Sequence, residues 1–243
     1  MAHRPSPRPR SRTLALALAC GLWLTATASA QVTAGDRLVD EGRFEEAIAA
    51  YETAVAANPN DARAHYQLAR AAVYLADALP AEAETDKEAW FARAADAAEL
   101  AVELAPGDPD AHFEVARALG RLAQFRGVLQ SLNLAGRVSR ALDAALELDP
   151  EHAASWHARA LYHSDVPWIA GGRAGQVIPS FERAIASEPD VITHRLELAR
   201  VLIERDETVA AREQLELAVT FSARTYHDRL DLEAATALLA SLP

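Results

Sequence analysis

The chain has 243 residues, 51% of them hydrophobic and only 6% aromatic, with few glycines and prolines. This is enough apolar material for a core, and it favours helix over an all-β domain. The net formal charge of −11, from 35 acidic against 24 basic residues, excludes a general affinity for nucleic acid or anionic membrane.

The first thirty residues stand apart. Arg4, Arg8, Arg10 and Arg12 form a basic head, Leu14 to Leu24 an apolar stretch, and Ala28-Ser29-Ala30 a small-x-small junction. These are the three parts of a secretory signal peptide, which predicts cleavage between Ala30 and Gln31 and a periplasmic or secreted protein. An uncleaved anchor is the alternative, but the apolar stretch falls short of the ~20 residues of a membrane span. A second alternative is lipid anchoring through Cys20, although Leu18 sits two places before it where a lipobox-like pattern places Leu three before. Cys20 is the only cysteine, so the remaining chain has neither disulfides nor thiolate metal sites. The first thirty residues carry only basic charge, which makes the remainder more acidic still.

From Gln31 onward the pattern is helices in pairs. Three segments look alike: Ala64-His65-Tyr66-Gln67-Leu68-Ala69-Arg70-Ala71, Ala111-His112-Phe113-Glu114-Val115-Ala116-Arg117-Ala118 and His194-Arg195-Leu196-Glu197-Leu198-Ala199-Arg200-Val201. Each follows an Ala/Leu-rich helical stretch that ends near Pro59, Pro106 or Pro189, and Pro150 is a fourth such stop. Proline removes a donor and ends each second helix. Small residues such as Ala47, Ala69, Ala116 and Ala199 permit close helix approach, while Phe44, Tyr51, Phe91 and Phe181 fill the space between pairs. In the first unit, Gly35, Leu38, Gly42, Phe44, Ala47, Tyr51, Ala54 and Pro59 fall on one spacing. That spacing resembles the tetratricopeptide repeat.

The resemblance implies an all-α, right-handed α-solenoid of about five helix pairs plus a C-terminal capping helix. The units lie near residues 31–61, 62–108, 109–152, 153–191 and 192–224, with a cap at 225–241. Leu230, Leu232, Ala235, Leu238 and Leu239 would form the apolar side of that cap. The fifth unit departs from the pattern, with Asp206 where the turn usually has Gly and Ala223 in place of the terminal Pro. The three middle units exceed the ~34-residue period. Their inserts fall between first and second helices, at Leu79–Asp86, Arg126–Gly136 and Val166–Gly172, and should cluster on one edge. Trp168 with Gly171-Gly172, followed by the last repeat and cap, resembles the carboxyl half of repeat proteins related to the regulators of microtubule dynamics. Trp168 reads as either a buried wedge closing the insert or an exposed anchor.

The family binds ligands on the concave surface lined by first helices, and one-turn spacing identifies that surface here. It offers Tyr66, Arg70 and Tyr74, then Phe113, Arg117 and Arg121, then His157 with Leu161 and Asp165, then Arg200. The fourth register is open by one residue, because Ala158-Arg159-Ala160 aligns with the other Ala-Arg-Ala runs. Arginines beside aromatic rings would hold an acidic or C-terminal carboxylate motif of a partner protein or peptide, unless they are solvated residues neutralising an acidic array. His152, His157 and His163 lack the i, i+4 spacing of a helical metal pair, and no nucleophile motif or phosphate loop is present, so neither metal, cofactor nor catalysis is expected. The expected function is a non-catalytic protein- or peptide-binding scaffold in the cell envelope. The alternative is an accessory subunit of a periplasmic solute-uptake system, docking on a solute-binding protein.

Overall fold

A computed structural model describes residues 28–127 and 131–243. Arg4, Arg8, Arg10, Arg12, the Leu14–Leu24 stretch and Cys20 lie outside the described residues. Among the described residues eleven helices are seen: α1 (residues 28–41), α2 (Phe44–Ala57), α3 (Ala62–Ala78), α4 (Glu84–Leu104), α5 (Pro109–Arg126), α6 (Leu132–Leu148), α7 (Ala153–Asp165), α8 (Val177–Ser187), α9 (Ile192–Glu204), α10 (Thr208–Ala218) and α11 (Tyr226–Ser241). No strand occurs among them. The helices pack as consecutive antiparallel pairs, and α3, α5, α7 and α9 form an inner layer. α1 runs without a break through Ala30 and Gln31, with Ala28 and Val32 buried on either side.

Each link between pairs is built the same way. A side chain six residues after the proline donates to that proline's carbonyl: His65 Nε2 to Pro59 O at 2.9 Å, His112 Nε2 to Pro106 O at 2.9 Å, Trp156 Nε1 to Pro150 O at 2.8 Å, and Arg195 Nη2 to Pro189 O at 3.1 Å. Three residue types thus do one job, which satisfies a carbonyl stranded in the link. Side chains at the next helix start add N-caps: Asp61 accepts from Ala64 N–H, Asp108 from Asp110 N–H and His152 from Ser155 N–H.

The turns within the first and fifth pairs are alike. Gly42 N–H donates to Val39 O and Arg43 N–H to Leu38 O; Asp206 N–H donates to Ile203 O and Glu207 N–H to Leu202 O. Gly42 has φ +82° and Asp206 φ +63°. Asp206 keeps the glycine's left-handed conformation, at a steric cost that a short polar side chain tolerates.

The middle inserts are taken up differently from the expectation of loops. Glu84–Asp86 is the first turn of α4 and Gly136 lies inside α6, so the extra residues mostly lengthen α3 to α6. Among described residues the long non-α-helical joint is 166–176, which contains two 3-10 turns, Trp168–Ala170 and Ala174–Gln176. The cap also differs in detail. Ala235 is buried and Leu232, Leu238 and Leu239 pack beside it, but Leu230 is 45% exposed. A capping box of Thr225 and Asp228 starts α11 and takes the place of the missing proline.

That helix start reaches beyond its own neighbours. Tyr226 meets Phe44 edge-on at 5.5 Å, and the His227 ring lies 4.1 Å from Tyr74. Phe44 and Tyr74 are themselves 5.6 Å apart. A side chain at Gly42 would sit 2.5 Å from the Tyr226 ring, so this position needs glycine for space as well as for φ. The four rings clasp the last helix to the first two pairs.

Two outcomes follow. Asp206→Gly should be neutral or stabilise the protein by up to about 1 kcal/mol, whereas Asp206→Val should destabilise it by more than about 1 kcal/mol, as read by urea denaturation. Tyr226→Ala should cost about 2–4 kcal/mol and loosen α1 and α2 in hydrogen exchange, although it lies at the other end of the chain. Unchanged protection in α1 and α2 would mean that the clasp contributes nothing.

Candidate functional site

The inner layer opens into a cavity of about 480 Å³. Its walls come from α3, α5, α6, α7 and the start of α9, and most of the lining is apolar, including Ala116, Ala123, Ala135, Val138 and Leu161. Five of the sequence-predicted groove residues, Tyr74, Phe113, Arg117, Arg121 and His157, line it. Tyr66, Arg70 and Arg200 do not. Burial pushes the Tyr66 phenol up to about 12. Arg70 lies 3.6 Å from Asp36. Arg200 donates to Glu197 of its own helix at 2.5 Å. α7 turns His157, Leu161 and Asp165 toward the cavity, while Arg159 is buried against Asp143 and Ser139 of α6. This settles the register of the fourth unit.

Arg117 is the most constrained group. Its guanidinium lies 4.6 Å over the Phe113 ring and 5.3 Å over the Tyr74 ring, and Nη1 donates to Tyr74 Oη at 2.8 Å. Its Nε is 3.5 Å from Oε2 of Glu114, which is only 4% exposed. Burial raises the Glu114 carboxyl, against the opposing pull of Arg117 and Arg70. Burial also opposes the charge of Arg117, but Glu114 and Tyr74 outweigh it and hold the guanidinium protonated. Along the rim, Arg121 pairs with Asp77 and donates to Gln124 at 2.7 Å, and Gln124 donates to Asp165 at 2.8 Å. A polar ladder therefore joins α3, α5 and α7.

The arginines expected to meet a partner's carboxylate have carboxylates of their own chain beside them. A charged group on a folding chain is satisfied first by carboxylates within reach, and here they are built in: Glu114 three residues before Arg117 and Asp77 on the preceding inner helix.

The histidine pair was missed at the sequence level, because His157 and His194 come from different units. Their Nδ1 atoms are 3.0 Å apart, so one ring donates to the other. Burial, with His194 and Arg117 nearby, pushes His157 down to about 3, and burial, with Arg195, pushes His194 down to about 4. Both rings are neutral at pH 7. Among the described residues, no group of three or more His, Cys, Asp or Glu is placed to hold a metal ion.

Trp168 is not a buried wedge. It is 84% exposed and Ile169 is 70% exposed. The glycines behind them dictate this. Gly171 has φ +106°, and a side chain on Gly172 would sit 1.6 Å from Val166 O. Tyr162 Oη donates to Ala170 O at 2.9 Å and pins the turn from inside. Val166 and Pro167, just before the turn, line the cavity. The exposed Trp168–Ile169 turn thus begins where the cavity lining ends, as a lip beside it.

The histidines carry a pH dependence. A base whose folded pKa lies below its unfolded value contributes stability that is complete above about pH 6.5 and is lost as pH falls through the folded value. Each of the two histidines should withdraw on the order of 2 kcal/mol of stability between pH 6.5 and 4.5. The double variant His157→Asn/His194→Asn should show a shallower fall in urea midpoints over that range.

Comparison with known proteins agrees with the architecture. The crystal structure of TTC0263, a thermophilic TPR protein of Thermus thermophilus, superposes with a TM-score of 0.69 at 20% identity, covering 86% of this chain and 99% of that one. The PilF protein of Pseudomonas aeruginosa superposes with a TM-score of 0.53 at 18% identity, covering 89% and 91%. No curated protein matches by sequence. The chain is a tetratricopeptide-repeat solenoid. Residues 26–169, more than half the chain, match the family described as regulator of microtubule dynamics protein 1-3.

Proposed function

This chain belongs to the regulator of microtubule dynamics protein 1-3 family, and we propose that it works as a non-catalytic scaffold that captures a segment of another protein on the inner face of its helix stack. One observation carries this reading. Tyr74, Phe113, Arg117, Arg121 and His157, brought from three inner helices, surround an open, mostly apolar cavity. Its volume lies in the ~300–1,000 Å³ range of ligand sites. A static stack would gain more by filling that space than by leaving it open. Non-catalytic action is supported by the state of the polar groups at the cavity: the arginines are paired and the histidines neutral and bonded to one another.

We also propose that the scaffold acts in the cell envelope. The basic head, the apolar stretch and the Ala28-Ser29-Ala30 junction support export. Among the described residues no helix is long and apolar enough to cross a membrane. Amino-terminal sequencing of the protein recovered from the envelope should give Gln31, and a lipid-modified Cys20 would replace this reading with an anchored form.

A photo-reactive phenylalanine analogue at Leu161, inside the cavity, should form covalent adducts with another protein in living cells. The same analogue at Glu182, exposed on α8, should not. Equal adducts from both positions, or none from Leu161, would defeat the scaffold reading.

A further inference from the structure

We infer that the segment captured here is uncharged and apolar: its main chain crosses α5 at Gly120, one large apolar side chain enters the cavity, and a second rests on the Trp168–Ile169 lip. This rests on reading the inner face as a binding surface, and it names what that surface takes.

The first argument is charge. A carboxylate arriving at Arg117 must displace Glu114, held three residues away on the same helix, and one arriving at Arg121 must displace Asp77. Each exchange trades a tethered anion for a free one and strands the displaced carboxylate, that of Glu114 in a buried site. A cation would find Glu114 and Asp77 already taken by the two guanidinium groups and Asp165 already accepting from Gln124 at 2.8 Å. A neutral ligand avoids both costs.

The second argument is Gly120. It lies inside the 18-residue helix α5, where glycine costs about 1 kcal/mol relative to alanine. Its φ is not in the left-handed region, and a Cβ added there would meet nothing within 4 Å. Neither a turn nor close packing within the chain accounts for it. Gly120 lines the cavity, so the missing side chain leaves bare helix backbone open to whatever lies in the cavity. Such a position suits a ligand main chain passing close over the helix.

The third argument is extent. The cavity lining includes Leu132, which is 48% exposed, and ends at Val166 and Pro167, and the next two residues along the chain, Trp168 and Ile169, are exposed apolar side chains. Apolar surface therefore continues out of the cavity onto its rim. A single small molecule would fill the cavity and leave the rim bare, whereas a peptide covers both. Rigid aromatic side chains such as Trp168 are efficient anchors for such a segment.

The test is selection of a phage-displayed random dodecamer library on the purified protein, followed by calorimetry with the synthetic peptides that emerge. The enriched peptides should carry two large apolar residues and no acidic consensus. Gly120→Ala, whose Cβ holds the ligand main chain off the helix, should bind them several-fold more weakly than the wild type, and Gly120→Leu, which fills the cavity, at least about tenfold more weakly. Trp168→Ala should weaken binding about tenfold. Both Gly120 variants should melt no lower than the wild type, which separates blocked binding from unfolding. An acidic or C-terminal-carboxylate consensus, wild-type affinity in Gly120→Leu, or no enrichment would each overturn the inference. Adducts from the Leu161 probe alongside any of those results would leave the scaffold reading standing, and their absence would remove both.

Discussion

A helix pair of this kind cannot bury both of its apolar faces alone, and the rest of the molecule follows from that constraint. Interior pairs solve it by stacking. The two ends must solve it otherwise. In this chain they help solve it together: α11 covers the last pair through Ala235, and its first residues, Tyr226 and His227, close against Phe44 and Tyr74 of the first two pairs. A solenoid in which each unit touches only its neighbours is quasi-one-dimensional and can open anywhere. The clasp joins distant units, so the inner face is bounded at one side by aromatic packing. The cavity lies next to that boundary, with Tyr74 belonging to both.

The electrostatics of the inner face are those of a balanced interior within an acidic protein. Arginine is abundant, but Arg63, Arg117 and Arg121 of the inner helices each pair with an acid of the chain, as Arg93 and Arg137 do on α4 and α6. Exposed pairs of this sort add little stability. Their consequence lies in recognition, since they remove free positive charge from a surface that would otherwise attract any anion. Arg117 differs from the others. Two aromatic faces and a buried carboxylate hold it, and it acts as a packing element that joins α3 to α5.

The pairing of helices was legible because it is local. Small residues at one helical spacing, large residues at another and a proline after each second helix are all written within a single unit. Even the departures had local answers: Asp206 takes the left-handed turn conformation and Thr225 caps the final helix. The inner-face positions Tyr74, Phe113, Arg117, Arg121 and His157 were readable from one-turn spacing for the same reason. What misled was chemistry that depends on partners. The pairing of Arg117 with Glu114 is local to α5, but its bond to Tyr74, 43 residues away in sequence, is invisible from its own helix.

The sequence alone determined the helical repeat, the inner face and the glycine pair behind Trp168, because each depends on residues within a few turns of one another. The tertiary structure alone decided which groups are available on that face. It paired Arg121 with Asp77, joined His157 to His194, left the Trp168 turn exposed beside the cavity and clasped the last helix to the first pairs. Those outcomes depend on how far each pair is rotated on the one before it. Small rotations accumulate along a stack, and no local spacing records their sum.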